Sequence, residues 1–585
     1  MIDYRAFDRA VGLNWYTVDP DLQALLDRVL DPADRAWAEE RSTEMGAVAG
    51  GLIAEAAEVI DKHPPRLERW DLSGEEVNRV VHHPMALAAK RACWESGLSG
   101  SRLRREAAER GRPFPGVLQG VAYYLLSQAD TGLTCATGMT GGVVRLVERF
   151  AAPDVRARLL PRLTAPRFED AWDGAMFMTE RTGGSDLSTL TTRATPRPDG
   201  AWALDGSKWF CSNVDAAAIA TLARPEGGPP GLKGVALFLV PRVRADGTPN
   251  DIRIRRLKDK LGTRTVPTGE VDFVGTEAYL LAGDGSATDG RGINRMMEMV
   301  QVSRFGIACM GLGIMRRAFL EAMIYASHRA AWGKPLVEHP LARETLVRLL
   351  VELEATAALL FAAAAVADDA DSVLGRLLVP LAKLRATRQG IAHASAAVEM
   401  LGGNGYVEDW PTARLFREAQ CHTIWEGTEN IICLDVLRAL RAEGTAHALL
   451  ARATDAIRTS GHRALDRPRG ILGGALDRLE RRLSRLATAE RTSAEYHARA
   501  LANALCDVAE TALLLEAAAW ELERRGSARK AVVAALFAAR HLVGDEEAAL
   551  ALEERACRTL FAPLVGYGTI APAALGDLVR LASAA

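Results

Sequence analysis

Residues 424–430, Ile-Trp-Glu-Gly-Thr-Glu-Asn, place a glutamate between a tryptophan and a glycine. Glu426 is a carboxylate that can take up or release a proton, and Gly427 allows a ligand to approach the main chain closely because glycine has no side chain. The same local sequence also fits a simpler role, in which Glu426 caps a helix over residues 428–440. The segment taken alone supports both interpretations.

Cysteine and histidine lack the spacing of a metal site or a disulfide framework. The eight cysteines form no Cys-x-x-Cys pair, and the 11 histidines include no His-Glu-x-x-His pattern. We therefore expect no metal and a reducing, cytoplasmic location. His422 precedes the acid–base segment, but a lone histidine there is more typical of a structural residue.

Residues 452–491 contain ten arginines and no lysine against five acidic residues. Arg478, Arg482 and Arg485 share one helical face and could neutralise DNA phosphates. The interleaved acidic residues fit an ordinary solvated face equally well, and no aromatic side chain in this stretch could stack on bases. We expect weak, non-specific binding to duplex DNA at most.

Composition indicates a large globular protein. The chain has 585 residues, of which 49% are hydrophobic and 25% charged, with a net charge of −2. At roughly 150 residues per domain this length allows about three to four domains, and the composition excludes a disordered or fibrous chain. The balanced charge gives no sign that nucleic-acid binding is the main function.

Neither a secretory leader nor a membrane span is expected. The first 16 residues have no basic start followed by an apolar stretch. The longest nearly unbroken apolar run, residues 355–367, is shorter than the roughly 18 residues that a span requires.

Hydrophobic periodicity predicts a mainly α, α+β protein with four domains. Helical spacing predominates before residue 150, so an N-terminal helical domain is expected over residues 1–165. Short alternating stretches separated by turn signals predict an antiparallel β-barrel domain over residues 166–288. Helical spacing returns in a bundle domain, residues 289–440, and in an Ala- and Arg-rich C-terminal helical domain, residues 441–585.

This domain order and five motifs resemble the acyl-CoA dehydrogenase family. Residues 178–186 resemble the first family signature, and residues 208–213 resemble the strand that faces the flavin. In the predicted bundle, residues 329–336 and 400–406 are similar to contacts on the adenosine side. Residues 424–430 resemble the segment that holds the catalytic carboxylate.

Further details resemble the adaptive-response, AidB-like subgroup of that family. These are the paired glycines at 183–184, residues 256–262, Trp425 where most of the family has tyrosine, and the long C-terminal tail. The resemblance implies FAD, a homotetramer, a link to alkylation stress and a basic C-terminal face proposed to touch DNA. A DNA-associated flavoprotein of the alkylation response is thus the alternative to a metabolic enzyme.

The resemblance implies FAD-dependent dehydrogenation of an acyl thioester, with Glu426 as the base and Arg304 beside it. A site next to Trp425 and a flavin excludes water, so we expect the pKa of Glu426 to be raised. Arg304 could instead be a surface residue of an amphipathic helix. Gln301 stands where straight-chain dehydrogenases usually have an aspartate that holds pantetheine, which leaves CoA and carrier-protein thioesters both open.

The resemblance also implies the FAD contacts and the partners. Phe210 and Cys211 could point into the barrel core instead, and an isolated glycine run is more often a helix terminator. In the family, Arg329 and the glycine run reach the FAD of a neighbouring subunit, and the electron acceptor is electron-transfer flavoprotein or oxygen. The implied contacts are Met178, Thr179, Ser185, Trp209, Phe210, Cys211, Ser212, Arg329, Gly402, Gly403, Gly405, Ile424, Trp425, Gly427, Thr428 and Asn430.

Overall fold

A computed structural model describes residues 1–366, 372–442 and 444–575 and divides the chain into two compact units. The unit that we call the helical unit comprises residues 1–51, 115–128 and 307–585. The unit that we call the mixed unit comprises residues 52–114 and 129–306. Both units join segments that are distant in sequence, so the four-domain division stays a prediction.

The helical unit is built from helices with clear start signals. Asp19 and Asp31 each accept a hydrogen bond from a backbone N–H of the following turn, and a proline begins each of the two helices. Ser372 caps a later helix in the same way, through the N–H of Gly375. Helices lying wholly or mostly in this unit are Pro20–Val29, Pro32–Val48, Gly116–Ala129, Gly292–His328, Pro340–Val366, Val373–Leu401, Gly403–Tyr406, Pro411–His422, Glu429–Leu440, Thr445–Thr459, Asp466–Ala487, Arg491–Arg525, Arg529–Leu542, Glu546–Thr559 and Phe561–Val565.

By length and composition, helix Pro340–Val366 is long and apolar enough to cross a membrane. Its longest unbroken apolar run is nevertheless shorter than the roughly 18 residues of a membrane span. In the fold, 83% of its most apolar window is buried. Its apolar face therefore forms protein core.

Buried ion pairs connect the C-terminal helices to the bundle helices within this unit. Glu354 lies between Arg529, at 2.5 Å, and Lys530. Glu352 accepts from the Nε2 atom of His541 at 2.6 Å. A buried charge without its partner is strongly destabilising, so these pairs depend on both groups of helices.

The mixed unit contains a β-hairpin that the sequence analysis placed in a helical domain. Pro64 and Pro65 follow helix Ala54–Lys62, and strands β1 (Arg66–Trp70) and β2 (Glu76–Val81) pair antiparallel. The Asp71 side chain accepts from the N–H groups of Ser73 and Glu75 and so forms the turn. The helices wholly within this unit are Ala54–Lys62, Pro84–Ser96, Ser101–Glu109, Thr131–Phe150 and Pro153–Leu163.

The predicted β-barrel is confirmed as a seven-stranded, barrel-like sheet. The strands are β3 (Gly174–Phe177), β4 (Arg193–Pro196), β5 (Trp202–Ser212), β6 (Ala218–Pro225), β7 (Ala236–Pro241), β8 (Ile252–Leu257) and β9 (Thr268–Leu280). Strands β4, β5, β9, β7 and β6 pair in that order, and the pairing of β6 with β4 closes the ring. Strand β8 pairs with β9.

Two pairings in the barrel are parallel, those of β6 with β3 and with β4. The other pairings within the sheet are antiparallel, as predicted. Alternating hydrophobicity shows which side chains face the core but not which strands are neighbours, so the parallel pairs could not be predicted. The core between the strands includes Leu204, Phe238, Val271 and Phe273, each at most 2% exposed.

Candidate active site

Glu426 lies in a tight turn between two helices of the helical unit. Helix Pro411–His422 ends immediately before this turn, and the carbonyl of Cys421 accepts from the N–H groups of Ile424 and Trp425 at 2.9 and 3.2 Å. We call residues 423–427 the Glu426 turn. Ile424 is 57% exposed, whereas Trp425 and Glu426 are half-buried.

The Glu426 turn is strained at the glutamate itself. Glu426 has φ +55°, in the left-handed region, and Gly427 has φ +110°. For a residue other than glycine this conformation costs about 1–3 kcal/mol and persists only where the surroundings enforce it. Helix Glu429–Leu440 begins with Thr428 at its N-cap position, so Glu426 is not the N-cap residue.

Lys383 contacts the main chain at both ends of the Glu426 turn. Its ammonium donates to the Gly427 carbonyl at 2.6 Å and lies 3.5 Å from the Thr423 carbonyl. The lysine is 1% exposed and lies on helix Val373–Leu401. The sequence analysis missed it, although a lysine within the apolar run Leu-Val-Pro-Leu-Ala-Lys-Leu signals a buried cation with a structural or functional role.

His422 is fully buried, as its structural interpretation requires. Neither ring nitrogen has a hydrogen-bond partner within the described part of the chain. Burial and the nearby charge of Lys383 lower the pKa of His422 to about 3. The ring is therefore neutral at physiological pH.

Two arginines hold the start of the helix that follows the turn. Glu429 pairs with Arg388 and, at 2.9 Å, with Arg499. Arg499 also donates to the Oδ1 atom of Asn430 at 2.6 Å, which connects this implied FAD contact to the long C-terminal helix. Thr428 and Asn430 are exposed.

The glycine run, residues 402–405, ends a helix and also has main chain with open space beside it. Gly402 ends helix Val373–Leu401 with φ +62°. A Cβ at Gly405 would lie 2.3 Å from the Val398 carbonyl oxygen, so this glycine is required for packing. A Cβ at Gly402 or Gly403 would meet nothing within 4 Å, which leaves their main chain accessible to a ligand.

Arg329 is exposed at the base of a two-residue hairpin turn. Strands Ala330–Ala331 and Lys334–Pro335 pair, and Trp332 at the tip is 89% exposed with φ +49°. The Arg329 carbonyl accepts from the N–H of Leu336 at 2.8 Å. The hairpin therefore presents a cation and an aromatic ring at the surface of this unit.

In the mixed unit, a β-bulge exposes the residues that the resemblance places against the flavin. Lys208 pairs with Val271 and Cys211 with Gly269, so Trp209 and Phe210 together oppose one residue of β9. Phe210 is 56% exposed and Trp209 half-buried. The Lys258 ammonium lies 3.5 Å from the centre of the Trp209 ring and 4.9 Å from that of Phe210.

Phe210 and Cys211 point in opposite directions. The Cys211 side chain is fully buried in the barrel core, so only its main chain can face a ligand. Ser212 is half-buried and shares a hydrogen bond of 3.0 Å with Thr268. The core interpretation is thus correct for the Cys211 side chain and wrong for that of Phe210.

The first signature contacts the bulged strand. The Thr179 carbonyl accepts from the N–H of Trp209 at 2.9 Å, and Met178 and Thr179 are half-buried. A Cβ at Gly184 would lie 2.5 Å from the Thr179 hydroxyl, so the glycine allows the loop to fold over Thr179. Ser185, one residue on, is exposed.

A buried ion pair, which the sequence analysis missed, holds these two segments. Lys208 donates to Glu180 at 3.0 Å and to the Leu222 carbonyl at 2.8 Å. Burial alone would raise the pKa of Glu180, but Lys208 and hydrogen bonds from Thr191 and Thr192 outweigh it and lower the pKa to about 2. The carboxylate is therefore ionised and serves to fix the two segments.

Arg304 lies on helix Gly292–His328 and is 5% exposed. The alternative of a surface arginine is therefore wrong. Gln301, three residues earlier, is half-buried. Its Oε1 atom has no hydrogen-bond partner among the described residues.

These features fit a planar, phosphate-bearing cofactor such as FAD. The bulge offers an exposed aromatic ring and main-chain groups of strand β5, and the Trp209 ring is itself in contact with a cation. Gly402 and Gly403 leave room for a ligand beside their main chain. The mixed unit therefore offers groups that suit a ring system, and the helical unit offers main chain that a ligand can approach.

Three family models match the chain in order. They are the adaptive response protein AidB N-terminal domain over residues 7–170, the acyl-CoA dehydrogenase middle domain over 175–275 and the acyl-CoA dehydrogenase C-terminal domain over 290–441. AidB of Escherichia coli strain K12 is 33% identical over 463 residues, which cover 76% of this chain and 77% of that protein. The chain therefore belongs to the acyl-CoA dehydrogenase family, whose members bind FAD and oxidise the CH–CH bond of acyl-CoA. Its N-terminal match and its similarity to AidB identify it further as AidB-like, as its motifs predicted.

Solved structures agree with this assignment. Caenorhabditis elegans ACDH-11 in complex with C11-CoA has a TM-score of 0.85 and 27% identity, covering 92% of each chain. An acyl-CoA dehydrogenase complexed with FAD from Bacillus anthracis has a TM-score of 0.71 and covers 96% of each chain. At 16% identity this second structure supports the fold alone.

Proposed function

We propose that this chain is an FAD-dependent acyl-CoA dehydrogenase in which Glu426 removes the α-proton of the acyl thioester. The strained Glu426 turn carries this proposal. A carboxylate is held there in an unfavourable backbone conformation next to an aromatic ring and a glycine, in a family that performs this oxidation. Backbone strain that the surroundings enforce is typical of functional sites.

The proposed step balances as a loss of one proton and one hydride from the acyl chain. Glu426 accepts the α-proton and becomes a neutral carboxylic acid, and the electron pair of the broken bond forms the Cα–Cβ double bond. The chemistry that bound FAD supplies is acceptance of the β-hydride. The backbone N–H of Glu426 is proposed to donate to the thioester carbonyl oxygen, where negative charge develops.

Arg304 is proposed as the charge partner of Glu426. This role comes from the resemblance to the family, and a positive charge beside a carboxylate favours its ionised form. Once the substrate excludes water, the carboxylate becomes a stronger base because it loses solvation.

Each unit by itself contains residues proposed to contact FAD. In the mixed unit they are Met178, Thr179, Ser185 and the main chain of residues 209–212, where Phe210 also offers an exposed ring. In the helical unit they are Arg329, Gly402, Gly403, Gly405, Ile424, Trp425, Gly427, Thr428 and Asn430. For Gly405 the packing against Val398 is sufficient reason for a glycine, so its proposed role is to shape the run.

The proposed substrate is an acyl-CoA, because ACDH-11 was solved with C11-CoA and has 27% identity with this chain. The Gln301 amide oxygen is buried and has no partner among the described residues, and a hydrogen bond from a pantetheine amide would satisfy it. A carrier-protein thioester offers the same pantetheine group and is the other proposed substrate. Electron-transfer flavoprotein or oxygen would reoxidise the flavin, and a cytoplasmic location stays a prediction.

The test is anaerobic bleaching of the flavin by a panel of acyl-CoA and carrier-bound thioesters. We expect Glu426→Gln to keep bound FAD and to lose flavin reduction by at least about 10³-fold, because no group remains to accept the α-proton. Glu408→Gln, an exposed glutamate of the same unit that pairs with Arg417, is the control and should reduce at a rate close to wild type. Reduction of Glu426→Gln at the wild-type rate would exclude this residue as the base.

The DNA-associated alternative has weaker support in the fold. Arg478 donates to the Leu542 carbonyl and Arg482 to the Ala500 carbonyl, at 2.5 and 3.1 Å. Two arginines of the basic face therefore connect helices of the C-terminal region. This supports a packing role for them and keeps the enzyme as the preferred function.

A further inference from the structure

The backbone of the Glu426 turn is fixed from outside the turn by a buried lysine. Lys383 donates to the Gly427 carbonyl, directly after the glutamate, and lies near the Thr423 carbonyl, three residues before it. One ammonium group thus bridges both ends of the turn. A hydrogen bond from a charged donor is about twice as strong as one between neutral groups.

The neighbouring histidine does not add a second positive charge beside Lys383. His422, at the end of the preceding helix, is neutral because burial and the charge of Lys383 lower its pKa to about 3. The ammonium holds the carbonyl of the Gly427–Thr428 peptide group and lies near the carbonyl of the Thr423–Ile424 peptide group, so it fixes both ends of the turn. Glu426, with φ +55°, lies between these two fixed points.

Helix Val373–Leu401 gives the lysine a rigid base. Five residues after Lys383, Arg388 on the same helix pairs with Glu429, just after the turn. Two residues after Lys383, Arg385 pairs with Asp507 of the C-terminal helix Arg491–Arg525. The helix is therefore connected both to the segment that carries Glu426 and to the C-terminal helices.

We propose that Lys383 is a positioning residue for the dehydrogenation, which holds the Glu426 turn in its strained conformation so that the carboxylate is aimed at the α-carbon. This inference rests on the proposed function for its catalytic part. A displacement of a catalytic group by about 1 Å can cost about 10²-fold in rate, so the loss of this hydrogen bond should be visible in the proton-transfer step.

The first measurement is anaerobic flavin reduction with an α-deuterated and an unlabelled acyl-CoA. We expect Lys383→Met to lower the reduction rate per bound FAD by about 10–100-fold, with little change in KM and an increased α-deuterium isotope effect. Lys383→Arg, which keeps a charged donor, should recover part of the rate. Lys530→Met, which also removes a buried lysine of the helical unit, controls for lost stability and should keep the rate per bound FAD.

The second measurement is amide hydrogen exchange over residues 421–430, which does not depend on turnover. Lys383→Met should exchange there at least about tenfold faster than wild type, whereas Lys530→Met should not. Unchanged exchange, or a wild-type rate per bound FAD, overturns the positioning role of Lys383. If no thioester bleaches the wild-type flavin, the proposed function fails, and exchange still decides whether Lys383 holds the turn.

Discussion

Gly403 and Gly405 show how two glycines of one motif differ in their surroundings. The position of a Cβ on Gly405 is occupied by a carbonyl oxygen of the preceding helix, whereas that on Gly403 faces open space. The resemblance implies that both glycines contact FAD. In the structure, Gly405 is required for packing, whereas the main chain of Gly403 is accessible to a ligand.

Replacing each glycine with alanine tests this difference. Gly405→Ala should lower the free energy of unfolding by about 2 kcal/mol, since the methyl group would overlap the Val398 carbonyl. Gly403→Ala should keep wild-type stability and weaken FAD binding by about tenfold, because the methyl group would fill space that the ligand needs beside the main chain. Thermal melting with and without added FAD measures both effects. Equal melting temperatures for the two variants would contradict the packing argument.

At the scale of the elements, buried caps and bulges fix where helices and strands begin and turn. Asp130 is 2% exposed and caps helix Thr131–Phe150 by accepting from the N–H of Leu133 at 3.0 Å. The same oxygen accepts from the Thr265 hydroxyl at 2.6 Å, from the loop before β9. One carboxylate thus sets both the helix start and the position of this loop within the mixed unit.

Asp130→Ala should therefore cost more than the loss of an ordinary cap. We expect a loss of about 2–3 kcal/mol, because the Thr265 hydroxyl is left without its acceptor in addition to the lost cap. Asp31→Ala, at an exposed cap, is the control and should cost about 1 kcal/mol or less. Denaturant unfolding of both variants gives the comparison, and similar losses would show that the Thr265 contact adds nothing.

Periodicity predicted the elements and their order, but not the contacts that depend on folding. The alternation in strand β5 placed residues 208–212 on a strand, yet the bulge decides that Phe210 faces outward while Cys211 enters the core. The hairpin at residues 66–81 was missed because its strands are short and largely exposed, so they show little hydrophobic pattern. Lys383 and Glu180 were missed because their partners are distant in sequence.

At the scale of the whole molecule, the exposed hairpin with Arg329 and Trp332 supports assembly into an oligomer. An aromatic side chain that is 89% exposed is typical of an interaction surface. We expect a homotetramer, which light scattering should detect as a particle with four times the chain mass of 63.0 kDa. Arg329→Glu should lower FAD occupancy, whereas Arg458→Glu in the C-terminal region should not. A monomer that retains FAD would contradict the shared site.

The basic face should bind duplex DNA only weakly. Arg481 and Arg485 lie on an open part of this face next to Asp477 and Glu480. We expect a Kd weaker than about 10 μM at physiological salt, with a steep salt dependence, because few phosphates can be neutralised. Reversing Arg481 and Arg485 to glutamate should abolish this binding without loss of FAD, as fluorescence anisotropy can measure. A sub-micromolar Kd at physiological salt would favour the alkylation-response function.

The ion pairs of the C-terminal helices limit how this enzyme could gain or lose its C-terminal region during evolution. Ending the chain after Leu440 would remove Arg529 and Lys530 from Glu354, His541 from Glu352 and Asp507 from Arg385. The shortened protein would retain these three charges, on helices Pro340–Val366 and Val373–Leu401, without the C-terminal partners that now neutralise them. The C-terminal region is thus not a detachable module, and its evolutionary gain or loss would have required compensating substitutions in the bundle.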